Sequence, residues 1–203
     1  MSIQIRLMKQ EDVETCGRIC YEAFKNVADY HNFRPDFPTP AFAVQFAQSF
    51  NASPQVFGVV AESDGQIVGS NYLWEYDAIR AVGPITVDPS VQSKGAGRKL
   101  MEAVIERGNG SMGIRLVQDS FNMASLSLYA SLGFDVKEPH CNRSHIPARL
   151  VLCRCPASNN YVRRDLYHHR LGKPYKLESK RFSPSKDVSQ SVRNCSSMPI
   201  LRS

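Results

Sequence analysis

Val87-Asp88-Pro89-Ser90-Val91-Gln92-Ser93-Lys94-Gly95-Ala96-Gly97-Arg98 leaves a run of β-branched residues and enters an amphipathic one. A strand-to-helix junction of this kind aims the free N–H groups and the positive dipole end of the helix at whatever lies before it, which makes it an anion site. Gly95 and Gly97 let the backbone approach oxygen atoms without a Cβ in the way, and Lys94 and Arg98 add positive charge. Two better-known phosphate loops are excluded. The run Gly95-Ala96-Gly97-Arg98-Lys99-Leu100 lacks the third glycine of a dinucleotide fingerprint, and no Gly-Lys-Ser/Thr follows. On their own, the glycines are equally compatible with an exposed turn.

Upstream, residues 79–87 form a fourth predicted strand, interrupted by Gly83-Pro84, and proline cannot donate to a central hydrogen-bond ladder. Pairing is expected to break there. Residues 56–62 and 66–75 are β-rich runs joined by Ser63-Asp64-Gly65, a hairpin signal. Before them, residues 3–7 alternate as a strand, and residues 11–28 place Val13, Cys16, Ile19, Cys20, Phe24 and Val27 on one helical stripe. Thr39 and Pro40 provide the N-cap and first turn of a second helix ending near Phe50. Downstream, residues 98–107 read as a helix with Leu100, Met101, Val104 and Ile105 inward, and residues 114–118 as strand five. A short helix over 123–132 stops at Gly133, residues 134–136 begin strand six, and residues 150–155 offer a seventh. The order predicts one α/β domain with a mixed sheet and helices on both faces.

Two motifs in this order resemble those of the GNAT superfamily of N-acetyltransferases. Gln92-x-x-Gly95-x-Gly97 is similar to the family's pyrophosphate loop, and residues 83–89 to its fourth strand. Asn122-x-x-Ser125-x-x-Leu128-Tyr129-x-x-x-Gly133-Phe134 resembles its second motif, with Ser125, Leu128 and Tyr129 on one helical face. The resemblance covers residues 3–138. It implies a mostly antiparallel sheet whose fourth and fifth strands splay apart to admit acetyl-CoA, a co-substrate here, with no metal.

By that resemblance Ile85, Thr86 and Val87 meet the pantetheine arm and thioester, Gln92, Ser93, Lys94, Gly95, Ala96, Gly97 and Arg98 meet the pyrophosphate, and Asn122 assists or merely caps its helix. Tyr129 is the expected acid toward the departing thiolate. The glutamate that many relatives carry on strand four is missing from residues 79–87, so Glu75 is the substitute base, with Asp77 or a water relay as the other routes. The aromatic, proline-rich loop containing His31, Phe33, Asp36 and Phe37 lies where the family binds its acceptor, although packing onto the core explains the same residues. The implied reaction is direct transfer of acetyl to a primary amine of a small molecule or peptide in a ternary complex. A non-catalytic acyl-CoA-binding or regulatory module is the competing class.

Composition narrows the partners. Residues 1–138 carry a net charge of −4 and residues 139–203 a net of +10, so the pI near 9.1 belongs to the tail. Residues 157–203, with nine serines and ten Lys+Arg against three acids, cannot build a core of their own and read as a basic tail after a domain spanning 1–156. A nucleic-acid partner is not expected, and the oligomeric state, monomer or homodimer, is open. Cys16, Cys20, Cys141, Cys153, Cys155 and Cys195 show no disulfide framework, and His140, Cys141, His145, Cys153 and Cys155 match no zinc pattern. No basic, apolar leader opens the chain and no segment approaches membrane-spanning length, so the cytoplasm is the expected compartment.

Overall fold

A computed structural model describes residues 2–92, 94–140 and 149–155. Ser93, Cys141 and His145, and the predicted tail over 157–203, lie outside the described residues. The strands are β1 (Ile3–Leu7), β2 (Val56–Ser63), β3 (Gln66–Trp74), β4 (Ile79–Val82), β5 (Thr86–Val87), β6 (Gly113–Asp119), β7 (Asp135–His140) and β8 (Arg149–Arg154). The helices are α1 (Val13–Tyr30), α2 (Pro40–Asn51), α3 (Ala96–Arg107) and α4 (Met123–Ser131). The described strands form one sheet in the order β1-β2-β3-β4-β6-β8-β7, with β5 paired to β3 alone. All pairings are antiparallel except β4 with β6. No helix among the described residues is long and apolar enough to cross a membrane.

The two faces of the sheet follow from period-two alternation. Val59, Ala61 and Leu73 join Leu100, Met101, Val104 and Ile105 of α3 in the main core, with Ile114, Leu116, Leu152, Tyr129 and Phe134 extending it beneath α4. The opposite face takes α1 and α2, whose own packing gathers Cys20, Phe37, Ala43, Phe24 and Phe46. Helix α2 begins as read from the sequence: Thr39 Oγ1 accepts the Phe42 N–H at 3.2 Å, with Pro40 in the first turn. Burial of some thirty apolar side chains on these two faces dominates the stability.

Three boundaries differ from the sequence reading. The fourth strand is two strands, β4 and β5, because Pro84 has no N–H to offer a ladder. Helix α3 starts at Ala96 rather than Arg98, so Gly97 lies inside its first turn. The seventh strand, β8, inserts between β6 and β7, so its buried Leu152 has a strand on either side.

Candidate active site

The break at Pro84 opens the sheet. Strand β4 pairs with β6 only from Ile79↔Gly113 to Ala81↔Arg115. Past Val82 the chain stays on the β3 side, where Gly69↔Val87 and Ser70↔Thr86 are paired, while Leu116 to Asp119 continue with β8 alone. Among the described residues β5 and β6 share no ladder, so a gap opens beyond Ala81, with its wide end away from that vertex. The Asp88 N–H donates to Val68 O at 2.9 Å, toward β3. Alternation along a strand therefore turns the backbone N–H and C=O of Val87 into the gap, where the Gln92 side chain donates to Val87 O at 3.4 Å.

Strand β5 can lie so close to β3 because Gly69 has no side chain: a Cβ there would stand 2.6 Å from Thr86 O. Thr86 itself is buried and directs its hydroxyl to Ser70, 3.4 Å away, on the α1 side. Val87 faces α3, within 3.8 Å of the position a Gly97 Cβ would take, and Leu128 of α4 lies 3.5 Å from the same position. Gly97 thus fills the space between the gap wall and α4 with backbone only.

At the wide end of the gap, Asp88 closes a short turn by accepting from the Ser90 N–H and hydroxyl at 2.8 and 2.7 Å. Gly95 then adopts φ +89°, a left-handed conformation that costs an L-residue with a Cβ roughly 1–2 kcal/mol. The first i→i−4 bond of α3 is Lys99 N–H to Gly95 O, at 3.1 Å. The N–H groups of Ala96, Gly97 and Arg98 therefore precede any intrahelical acceptor and converge on the gap mouth. The Arg98 guanidinium donates to Ser131 Oγ at 2.6 Å and lies 3.8 Å from Glu102, so its charge is shared with α4.

Helix α4 packs beside this mouth, with Leu128 next to Gly97 and Ser131 next to Arg98. Asn122 is its N-cap, accepting the Ser125 N–H at 3.1 Å, so its side-chain oxygen is already committed. Tyr129 is 5% exposed, with its ring 6.2 Å from that of Phe134. Burial pushes its phenol up to about 12, opposed by a hydrogen bond from Ser125.

Glu75 is not brought to this place. Arg107 donates to both of its carboxylate oxygens at 3.0 Å, at the C-terminal end of α3, whereas Tyr129 and the loop sit at the N-terminal end. Eleven helical rises separate those ends, about 16 Å. Asp77 faces Arg115 at 3.8 Å in an exposed turn. The sequence placed Glu75 near the gap because it ends strand three, but the side chain turns to the guanidinium that best satisfies it.

The acceptor loop divides. His31 and Phe33 both lie against Phe121, with ring centroids 4.4 and 4.8 Å away. Asp36 accepts from Arg149 Nη2 at 2.8 Å, and the same guanidinium donates through Nε to Asp119 at 3.1 Å. Burial raises the Asp36 carboxyl above the ordinary range, with Arg149 working against it. These groups surround the end of β6 on the α1 side. Phe37 turns the other way: it is 8% exposed and packs edge-on to Phe24 at 5.3 Å within the α1–α2 core. Sequence reasoning missed Phe121 and Arg149, since the Asp36–Arg149 contact spans 113 residues and leaves no local signal. A separate groove of about 790 Å³ between the starts of α1 and α2, lined by Glu14, Arg18, Val44 and Gln45, contains none of the predicted site residues.

A family model described as the acetyltransferase (GNAT) family matches residues 24–134. Among solved structures, the chain is similar to the PaiA N-acetyltransferase of Thermoplasma acidophilum in complex with coenzyme A, at 18% identity and TM-score 0.61, covering 77% of this chain and 100% of that one. It is similar to the ribosomal-protein-S18-alanine N-acetyltransferase of Escherichia coli at 18% identity and TM-score 0.59, covering 78% and 98%. A GNAT superfamily phosphinothricin acetyltransferase of Sinorhizobium meliloti in complex with AcCoA matches at 20% identity and TM-score 0.61, covering 76% and 89%. At such identities these likenesses carry the fold. No curated protein matches the chain.

Proposed function

The chain belongs to the acetyltransferase (GNAT) family, and on that premise we propose that it transfers acetyl from acetyl-CoA to a primary amine of a small molecule or peptide, directly, in a ternary complex. The observation that carries this reading is the gap between β5 and β6, lined by outward backbone at Val87 and closed at its wide end by the unbonded N–H groups of α3. A long, neutral, amide-bearing chain ending in a pyrophosphate matches both parts. Gln92, Lys94, Gly95, Ala96, Gly97 and Arg98 hold the phosphates, through backbone donors first and charge second, and Ile85 and Val87 border the arm.

The amine enters from the α1 side, where His31, Phe33 and Phe121 offer ring surfaces beside Asp36 and Asp119. Its nitrogen bonds to the acetyl carbonyl carbon, the carbon–sulfur bond breaks, and the amine proton leaves as the amide forms. A phenol pushed up to about 12 stays protonated across the neutral range, so Tyr129 always presents its O–H to the sulfur. Because an ordinary thiol titrates near about 8.5 and is the stronger acid, this O–H stabilises the departing thiolate by a hydrogen bond. The proton released by the nitrogen balances the free thiol. With Glu75 held by Arg107, water relays that proton from the nitrogen to the thiolate.

The test is release of free thiol from acetyl-CoA with a broad panel of primary amines. Turnover with at least one amine is expected. Stabilisation of the protein by acetyl-CoA with no thiol release from any amine would favour a non-catalytic acyl-CoA-binding module instead.

A further inference from the structure

Gln118 breaks the pattern of its strand. Ile114 and Leu116 face α3 and belong to the main core, and by period-two alternation Gln118 points to the same side. It is 8% exposed, and neither Oε1 nor Nε2 has a hydrogen-bond partner among the described residues. The surroundings in the sheet offer none: its cross-strand partner on β8 is Leu150, and the next pair along is Leu116↔Leu152. Nearby polar groups are committed elsewhere, Asp119 to Arg149 and Asn122 to the Ser125 N–H. A buried carboxamide left without a partner is destabilising, so this residue type at this position asks for a ligand.

Its place in the gap says which one. Gln118 lies in the part of β6 that has left β4, on the same face as Val87, Leu128 and Tyr129. Since β4 and β6 run parallel and last pair at Ala81↔Arg115, Gln118 lies three residues into the gap beyond that vertex. We infer that the Gln118 carboxamide is a binding residue for the pantetheine arm, pairing its N–H and C=O with those of one of the arm's amides. A secondary amide offers one donor and one acceptor, as the carboxamide does, and neither partner brings charge into the core. The inference rests on the reading that the gap takes acetyl-CoA.

The test compares two ligands by calorimetry on wild type and Gln118→Leu: CoA, and adenosine 3′-phosphate 5′-diphosphate, which keeps both pyrophosphate phosphates and lacks the arm. The variant should bind CoA about tenfold more weakly, as expected for one or two lost neutral hydrogen bonds, and the armless ligand within about twofold of wild type. Its ligand-free melting temperature should rise by about 2–4 °C, because a buried unpaired amide has been removed. Gln118→Met, closer in length, must show the same pattern if leucine disturbs packing. Equal effects on both ligands, or none on either, overturn the inference. Wild type binding neither ligand would remove the acetyl-CoA reading itself.

Discussion

Gly69→Ala tests whether β5 is the wall of the cofactor gap. A Cβ at residue 69 would stand 2.6 Å from Thr86 O, 3.2 Å from Leu100 Cδ1 and 3.3 Å from Val87 Cα. The first distance is about 0.8 Å short of ordinary contact at 3.4 Å, and the atom in the way is a backbone carbonyl that cannot rotate aside. Leu100 is fully buried, so the core cannot yield behind it. Relief therefore falls on β5, which has only two residues paired to β3 and none of the described strands on its other edge. Moving β5 toward β6 by this amount narrows the gap at the residue whose backbone faces it. Overpacking of this kind costs about 1–3 kcal/mol of stability. An arm inserted between β5 and β6 should lose at least about tenfold in affinity, since the cost of reopening the wall adds to binding. Urea denaturation and calorimetric titration with acetyl-CoA measure the two effects. A variant that loses stability but binds acetyl-CoA like wild type would refute the placement of the arm beside Val87.

Tyr129→Phe should keep the fold, because the ring packing against Phe134 is retained, and lower kcat by roughly a hundredfold; an unchanged kcat would remove Tyr129 from the stabilisation of the thiolate. Since burial pushes this phenol up to about 12, the wild-type kcat–pH profile should rise with amine deprotonation and show no fall below about pH 10. Glu75→Gln should leave kcat within about twofold and cost less than about 1 kcal/mol, as an ion pair to a half-exposed Arg107 is worth little; a large loss of turnover would restore Glu75 as the base. Asp12 accepts from Arg6 at 2.6 and 3.0 Å and from the Lys9 N–H at 2.7 Å, and Arg6 above all holds its carboxyl below the ordinary aspartate range. This contribution is complete above that range and is lost as the pH falls through the lowered value, so Asp12→Asn should cost about 2–3 kcal/mol at neutral pH and progressively less in acid, read from urea midpoints.

The parts of this molecule set by neighbouring residues were legible in its sequence. The Thr39-Pro40 start of α2, the Ser63-Asp64-Gly65 hairpin and the Asn122 cap depend on short-range geometry, and each forms as its residues indicate. Pro84 announced a loss of pairing, and β5 leaves β6 where the sequence placed the break. Side-chain direction was less accessible. Glu75 follows β3 and Phe37 precedes α2 in the chain as read, yet one turns to Arg107 and the other into the α1–α2 core, choices decided by a partner 32 residues away for Glu75 and by rings from two helices for Phe37. The convergence of Asp36, Asp119 and Arg149 depends on β8 inserting beside β6, a topological fact that no local pattern carries. Gln118 left a sequence signal in retrospect: it is the polar residue in the Ile114–Leu116–Gln118 stripe, where alternation calls for an apolar one.

The most direct test of the central claim is a crystal structure of the protein with acetyl-CoA. The account predicts the pyrophosphate on the N–H groups of residues 95–98 and the arm running between β5 and β6 against the backbone of Val87, with sulfur within hydrogen-bond reach of Tyr129. Acetyl-CoA bound elsewhere, such as in the groove between α1 and α2, with β5 and β6 left apart and untouched, would contradict it.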